Sequence, residues 1–271
     1  MSPAPPPSPR AIVLRSAGTN CDREMVRAFE LAGACTDLVH LDALCSDPKQ
    51  LSGYDLVGFP GGFSYGDDIA SGRIFAARVR QHLYPALREG AERGVCMIGA
   101  CNGFQVLVQA GLLPGPAGGE AWPESAPTPT VALGDNASAR FIDRWAVVEP
   151  EPDSPCVWTR GLEALPDSTR TLPIAHGEGR LIASDETLDR LRAGGHVALR
   201  YAEDVNGSAD RIAGLCDSTG RIFGLMPHPE RYLDWNRHPA FSRLDDSTTS
   251  SAPPGLTMFR NAVHAASALH A

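Results

Sequence analysis

Along the first half of the chain, short apolar runs alternate with longer stretches whose apolar positions recur at helical spacing. The runs are Ala11-Ile12-Val13-Leu14, Asp37-Leu38-Val39-His40-Leu41, Asp55-Leu56-Val57-Gly58-Phe59 and Val95-Cys96-Met97-Ile98-Gly99. Short, near-continuous apolar segments read as strands covered on both faces, as in a parallel sheet. Between them, Cys21 to Ala34 sets Met25, Phe29 and Ala32 on one side and stops at Gly33, which predicts a helix. Ser71 to Arg93 carries a long amphipathic helical pattern, with Pro85 as the place for a break. Strand and helix in alternation imply βαβ units and an open, mostly parallel α/β sheet with helices on both faces.

The pattern then changes. Pro114 to Pro129 is rich in Gly, Pro and Ala and predicts a loop. Ala139 to Val148, Thr171 to His176, His196 to Tyr201, Arg211 to Cys216 and Arg221 to Leu225 predict strands. Asp217-Ser218-Thr219-Gly220 reads as a hairpin turn between the last two, so this half predicts an antiparallel extension of the sheet. Asp245 to Gly255 predicts a loop, and Leu256 to Leu269 a closing helix with Met258, Ala262 and Ala265 on one face. Residues 1–10 are Pro-rich and predict a disordered, extended tail, leaving 11–271 as a single domain.

The fourth run leads into Gly99-Ala100-Cys101-Asn102-Gly103, with helical sequence after it. That is a nucleophile elbow with sulfur in place of oxygen: a sharp strand-to-helix turn lifts one side chain above the sheet edge. Gly99 and Gly103 carry no Cβ to collide there. Cys101 then stands at a helix N-terminus, where the dipole and free N–H groups favour thiolate. A lone cysteine at a tight turn is more often a small buried hydrophobe, but the paired glycines and the apolar lead-in favour the elbow. The nucleophile needs a base, and the base an orienting acceptor. Met226-Pro227-His228-Pro229-Glu230 follows an apolar run, with two prolines fixing the backbone around His228 and Glu230 placed to select its tautomer. Alone, His-Pro-Glu would be a solvated turn; with an elbow cysteine elsewhere, it reads as the rest of a triad. Phe59-Pro60-Gly61-Gly62 offers bare N–H groups at Gly61 and Gly62 for an oxyanion, and the N–H of Asn102 is the second natural donor. By itself Pro-Gly-Gly is no more than a turn.

Composition narrows the rest. The net charge of −8 leaves no nucleic-acid footprint. Seven cysteines without a Cys-x-x-Cys pair fit neither a disulfide framework nor a zinc knuckle and point to a reducing compartment. The N-terminus has no apolar signal core, and no apolar window reaches membrane-spanning length, so a cytoplasmic enzyme is expected. No Walker loop and no His-Glu-x-x-His motif occurs, so no ATP, metal or other cofactor is expected in this chain.

Pro60-Gly61-Gly62, Gly99-Ala100-Cys101-Asn102-Gly103-Phe104-Gln105 and Pro227-His228-Pro229-Glu230 resemble the signatures of class I (triad) glutamine amidotransferases. Gly18-Thr19-Asn20-Cys21-Asp22, Gly61 to Asp67, Asn136-x-Ser138-x-x-Phe141, Ala175-His176-Gly177-Glu178-Gly179 and Gly224 to Arg231 narrow this to the glutaminase subunits of phosphoribosylformylglycinamidine synthases. The resemblance covers almost the whole chain. It implies a flavodoxin-like sheet with an antiparallel extension, and a triad of Cys101, His228 and Glu230. It also implies glutamine contacts from Gln105, Asn136, Ser138 and Phe141. Ammonia would pass to a synthetase subunit holding ATP and Mg, with a small third subunit in the complex. The loops 114–129 and 234–255, the tail, and the run Asp68 to Arg73 depart from the family's pattern. A stand-alone cysteine hydrolase or peptidase of the same fold is the alternative enzyme, though a common variant there has His directly after the nucleophile, where this chain has Asn102. A non-catalytic binding protein of this fold is the alternative non-enzyme; it would usually lack a triad member, and none is missing.

Overall fold

The computed structural model describes residues 8–269. Strand β1 (Arg10–Arg15) buries Ala11, Ile12, Val13 and Leu14 completely and leaves an arginine at each end. There follow α1 (Asp22–Leu31), β2 (Cys35–His40), α2 (Leu41–Ser46), β3 (Leu56–Phe59), α3 (Arg73–Arg78), α4 (Tyr84–Glu92), β4 (Cys96–Ala100) and α5 (Asn102–Gln109). The second half holds β5 (Ala132–Asp135), β6 (Ile142–Pro150), β7 (Thr171–His176), β8 (Glu178–Ile182), α6 (Asp185–Ala193), β9 (Val197–Tyr201), β10 (Ile212–Cys216), β11 (Ile222–Leu225), α7 (Asp246–Thr249) and α8 (Pro254–Ser267).

The main sheet runs β2-β1-β3-β4-β11-β10-β9-β6-β7. Its first five strands are parallel and the remaining pairings antiparallel, which is the expected extension. β5 and β8 form a separate antiparallel pair. Alternate residues of each strand enter opposite cores. Ala11, Val13 and Ile98 pack with Met25 and Phe29 of α1 and Phe259 of α8, where Phe29 and Phe259 meet edge to face at 5.0 Å. Ile12, Leu14 and Met97 pack with Phe75, Leu87 and Leu107 from α3, α4 and α5 on the other face. The period of two in the strands thus splits one apolar run between two helical layers.

Several expectations shift. Of the expected tail, residues 1–7 lie outside the described residues, whereas Pro9 and Arg10 belong to the sheet: the Pro9 carbonyl accepts from Cys35 N–H at 2.9 Å, and Arg10 opens β1. The tail boundary at residue 10 is therefore corrected inward. The long helix does not break at Pro85. Instead, α3 and α4 join through one π turn, Val79–Leu83, just before it. Pro85 has no N–H for the carbonyl one turn back, and its ring would crowd that oxygen; a wider turn accommodates both. The 114–129 loop is irregular but fastened, because the Arg80 guanidinium donates to the carbonyls of Gln109, Ala126 and Pro127 at 2.8–2.9 Å. Within the expected 245–255 loop, Asp245 caps the short α7, its carboxylate accepting from Thr248 N–H.

Candidate active site

The loops after β1, β3, β4 and β11 converge at one edge of the parallel sheet, outside the strands' carboxyl ends, where open α/β sheets place their sites. Cys101 follows β4 with φ 52° and ψ −109°, a left-handed conformation that costs a non-glycine residue of order 1–3 kcal/mol. The surroundings enforce it. Cys101 N–H donates to Leu225 O at 2.8 Å, its carbonyl accepts from Phe104 and Gln105 N–H, and its side chain heads α5. Close packing dictates the two elbow glycines. A Cβ on Gly103 would lie 1.8 Å from the Phe59 carbonyl oxygen, and one on Gly99 would lie 2.5 Å from the Gly103 oxygen.

β11 lies parallel to β4 in a register that pairs Leu225 with Ala100, so the chain leaves both strands side by side. Two residues on from Met226 stands His228, pinned through its N–H to Pro173 O at 2.8 Å. Its Nδ1 donates to Glu230 Oε1 at 2.6 Å, with the two side chains 2% and 0% exposed. That bond leaves Nε2 for the sulfur. Burial works against the imidazolium, but the Glu230 charge and then Cys101 outweigh it and hold the His228 pKa well above its ordinary value. Glu230 Oε2 is buried with no hydrogen-bond partner among the described residues, so the imidazole supplies that carboxylate's side-chain hydrogen bond.

Gly61 brings the β3 loop against His228: a Cβ there would lie 2.6 Å from His228 Cε1. The Gly61 carbonyl accepts from Asn20 and Cys21 N–H at 3.3 Å each, and Phe63 N–H donates to Gly18 O, which ties this loop to the one after β1. Gly62, at φ +140°, borders a cavity of about 210 Å³ that also reaches Cys101, Gln105, Phe141 and His228. Asn102 is buried. Its Nδ2 donates to Gln105 Oε1 at 3.1 Å and Asp67 Oδ1 at 3.4 Å, and Gln105 Nε2 donates to Glu178 O at 2.7 Å.

The Asn-x-Ser-x-x-Phe residues scatter. Phe141 stands at the cavity rim, 54% exposed. Asn136 sits behind the wall. Its Nδ2 donates to Arg140 O and His176 O at 2.8 Å, and its Oδ1 accepts from His176 Nδ1 at 3.0 Å. Ser138 faces solvent and accepts from Arg140 N–H at 3.4 Å. Cavity contact among these three thus belongs to Phe141.

Several residues on and behind the cavity wall carried no role in the sequence reading. Cys21 is fully buried at the start of α1, with its thiol donating to Asn20 Oδ1 at 3.1 Å and accepting from Arg231 Nη2 at 2.9 Å. His176 is buried and neutral, its pKa pushed down to about 4 by burial and then by repulsion from His228. Asp143 and Arg231 line the cavity. Cys21, His176 and Arg231 stood inside quoted motifs, but only the meeting of loops distant in sequence gives them a site. Cys21 Sγ, His228 Nδ1 and a Glu230 oxygen lie within 4.8 Å of one another, as metal ligands would. The short His228–Glu230 bond and the guanidinium on the sulfur describe instead a hydrogen-bonded network in which a further cation would be repelled.

The arrangement can do acyl transfer: a sulfur nucleophile, a base with its orienting acid, and N–H donors beside one small cavity. The model of the CobB/CobQ-like glutamine amidotransferase domain matches residues 8–264. A phosphoribosylformylglycinamidine synthase subunit PurQ from Dehalococcoides mccartyi is 40% identical over 262 residues, covering 94% of this chain and 96% of that one. The structure of PurLQS from Thermotoga maritima contains a similar chain, with TM-score 0.67 and 33% identity over 95% of this chain and 98% of that one. A putative GMP synthase protein from Thermoplasma acidophilum shares the fold, with TM-score 0.55 at 14% identity, covering 97% of this chain and 96% of that one. The chain belongs to the CobB/CobQ-like glutamine amidotransferases and, within them, to the PurQ subunits of phosphoribosylformylglycinamidine synthase.

Proposed function

We propose that the chain from Pro9 onward forms one glutaminase domain in which Cys101 attacks the side-chain amide of glutamine. The thiolate adds to the amide carbon, and the oxyanion takes hydrogen bonds from the N–H groups of Gly62 and Asn102. His228 Nε2 gives its proton to the leaving nitrogen, and ammonia departs from a γ-glutamyl thioester. His228 then takes a proton from water, hydroxide attacks the thioester, and glutamate leaves with the thiolate restored. Glu230 keeps the imidazole in the tautomer that presents Nε2 to the sulfur throughout.

Ammonia is the useful product. It passes to a synthetase subunit, which holds ATP and Mg and converts formylglycinamide ribonucleotide to the amidine in purine biosynthesis. A small third subunit completes the complex, as in the Thermotoga assembly of PurL, PurQ and PurS. Among the described residues no helix is long and apolar enough to cross a membrane, and we place the complex in the cytoplasm.

The observation that carries this reading is the buried 2.6 Å His228–Glu230 bond beside the strained Cys101, on one cavity. Glutamate and amidine formation by the assembled complex, with wild type and Cys101→Ala, tests it. Wild type should release glutamate in step with amidine. Cys101→Ala should make amidine from added ammonium but not from glutamine. No glutamate from the wild-type complex, or full glutamine use by Cys101→Ala, would refute it.

A further inference from the structure

Cys21 is a second sulfur beside His228, and the reaction leaves it unused. It is fully buried at the start of α1, where its side chain caps no helical N–H, and it is not among the described residues that line the cavity. Its Sγ lies 3.9 Å from His228 Nδ1, on the ring edge that Glu230 holds, with Nε2 on the other. The same sulfur accepts from Arg231 Nη2 at 2.9 Å and gives its proton to Asn20 Oδ1 at 3.1 Å. Arg231 N–H in turn donates to His228 O at 3.2 Å, so His228 and Arg231 are the two ends of one tight turn, and both ends meet Cys21. The backbone of Cys21 is fixed as firmly. Its N–H and that of Asn20 donate to Gly61 O at 3.3 Å each, and its carbonyl accepts from Met25 N–H at 3.1 Å in the first turn of α1. Gly61 belongs to the loop whose Gly62 N–H serves the oxyanion in the proposed reaction. One residue thus joins the turn that carries the base to the loop that carries an oxyanion donor. A buried cysteine that is only a small hydrophobe makes apolar contacts; this sulfur meets a guanidinium, an amide and an imidazole.

We infer that Cys21 is a positioning residue: its sulfur and its N–H hold the His228 turn against the Gly61 loop, so that the base and the oxyanion donors keep one spacing through both halves of the reaction. This rests on the reading of the site as a glutaminase. Because Cys21 stands behind the base and away from the cavity, its loss should appear in kcat more than in KM. The groups that face His228 are Glu230 on its own turn, Cys101 at the elbow, Cys21 ahead of α1 and the neutral His176 of β7. Burial lowers the His228 pKa, and Glu230, Cys101 and then Cys21 raise it by more than burial takes away. The alkaline limb of the pH–rate profile reports the imidazolium that protonates the leaving nitrogen, so that limb should move to lower pH when the sulfur is removed. A residue that only fills space would lower the rate and leave the limb where it is.

Glutamate release by the assembled complex is followed across neutral and alkaline pH with wild type, Cys21→Ala and Cys21→Ser. Amidine formation from added ammonium, which bypasses this site, reports that each complex has assembled. Misplacing a reacting group by about 1 Å costs about 100-fold in rate. Cys21→Ala should therefore lose roughly 10- to 100-fold in kcat, leave KM for glutamine nearly unchanged, and shift the alkaline limb to lower pH. Serine keeps a group that can donate to Asn20 and accept from Arg231, so Cys21→Ser should fall between wild type and Cys21→Ala in both kcat and limb. Serine changes one atom, and it carries the test alone if the alanine variant does not assemble. Wild-type kcat in either variant overturns the inference, as does a fall in kcat with the limb unmoved or a loss confined to KM. A wild-type complex that makes amidine from ammonium but releases no glutamate overturns the glutaminase reading itself, and this inference with it.

Discussion

Gly103→Ala puts the smallest possible addition at the tightest place in the elbow. The new Cβ would lie 1.8 Å from the Phe59 carbonyl oxygen and 2.6 Å from its carbon, both backbone atoms of β3. Ordinary contact begins near 3.4 Å, so β3 and the first turn of α5 must part by about 1.6 Å. Neither side yields easily. Phe59 is fully buried in a four-residue strand paired with β4, and Asn102 and Gln105 are tied into the cavity wall. The movement falls on Cys101 and on the Asn102 N–H, whose spacing from His228 and Gly62 sets the reaction geometry. A displacement near 1 Å costs about 100-fold in rate, and overpacking of this kind about 1–3 kcal/mol in stability. The assay is kcat/KM for glutaminase together with the urea midpoint, beside Gly118→Ala, where an added Cβ meets nothing within 4 Å. Gly103→Ala should lose about two orders of magnitude in kcat/KM while Gly118→Ala stays at wild type. Full activity in a folded Gly103→Ala would refute the claim that the contact of β3 with the elbow positions the nucleophile.

Other outcomes follow from the triad and its neighbours. Glu230→Gln must give its carbonyl to His228 Nδ1, leaving an NH2 group where Oε2 already lacks a partner; kcat should fall roughly thousandfold or more, and stability by about 3–5 kcal/mol, read by steady-state kinetics and urea titration. Because the His228 pKa is raised in the folded protein, the pair's contribution to stability is whole below the unfolded value near 6.5 and fades as pH rises through the folded one. The stability gap between wild type and Glu230→Gln should therefore narrow at alkaline pH, and a gap that widens would contradict this account. His176 has the opposite sign. With its pKa lowered to about 4, the unfolded chain binds its proton first, and stability is lost as pH falls from about 6.5 toward 4. His176→Gln should flatten that stretch of the acid-denaturation curve.

The parallel core was legible because burial on both faces leaves continuous apolar runs: Ala11 to Leu14 and Cys96 to Ala100 lie where those runs predict strands. The elements that went unread lack such a signature. α6 buries only Thr187, Leu188 and Leu191, and its signal lies instead in Ser184 as N-cap, acids in the first turn and arginines in the last. β5 is largely exposed, and β8 pairs with it alone, so neither shows a long apolar run. In the candidate site, the proposed triad of Cys101, His228 and Glu230 could be singled out because each sits in a short motif with its own backbone logic. Arg231 stood in the same motif, yet its apposition to Cys21 depends on how the loops after β1 and β11 meet, which no local pattern encodes. Asn136 shows the converse: a motif can mark the scaffold of a wall as readily as its surface.

The side-by-side exit of β4 and β11 also makes catalysis depend on the order in which the chain is built. The nucleophile's strand emerges from the ribosome early, while the strand that carries the base lies more than a hundred residues further on. At ordinary rates of synthesis the two are separated by on the order of ten seconds. During that interval the edge of β4 that β11 will occupy is open, and Cys101 N–H has no Leu225 carbonyl to hold its strained turn. The growing chain therefore carries an unarmed thiol. The proposed triad of Cys101, His228 and Glu230 is therefore assembled only once the last parallel strand has been inserted.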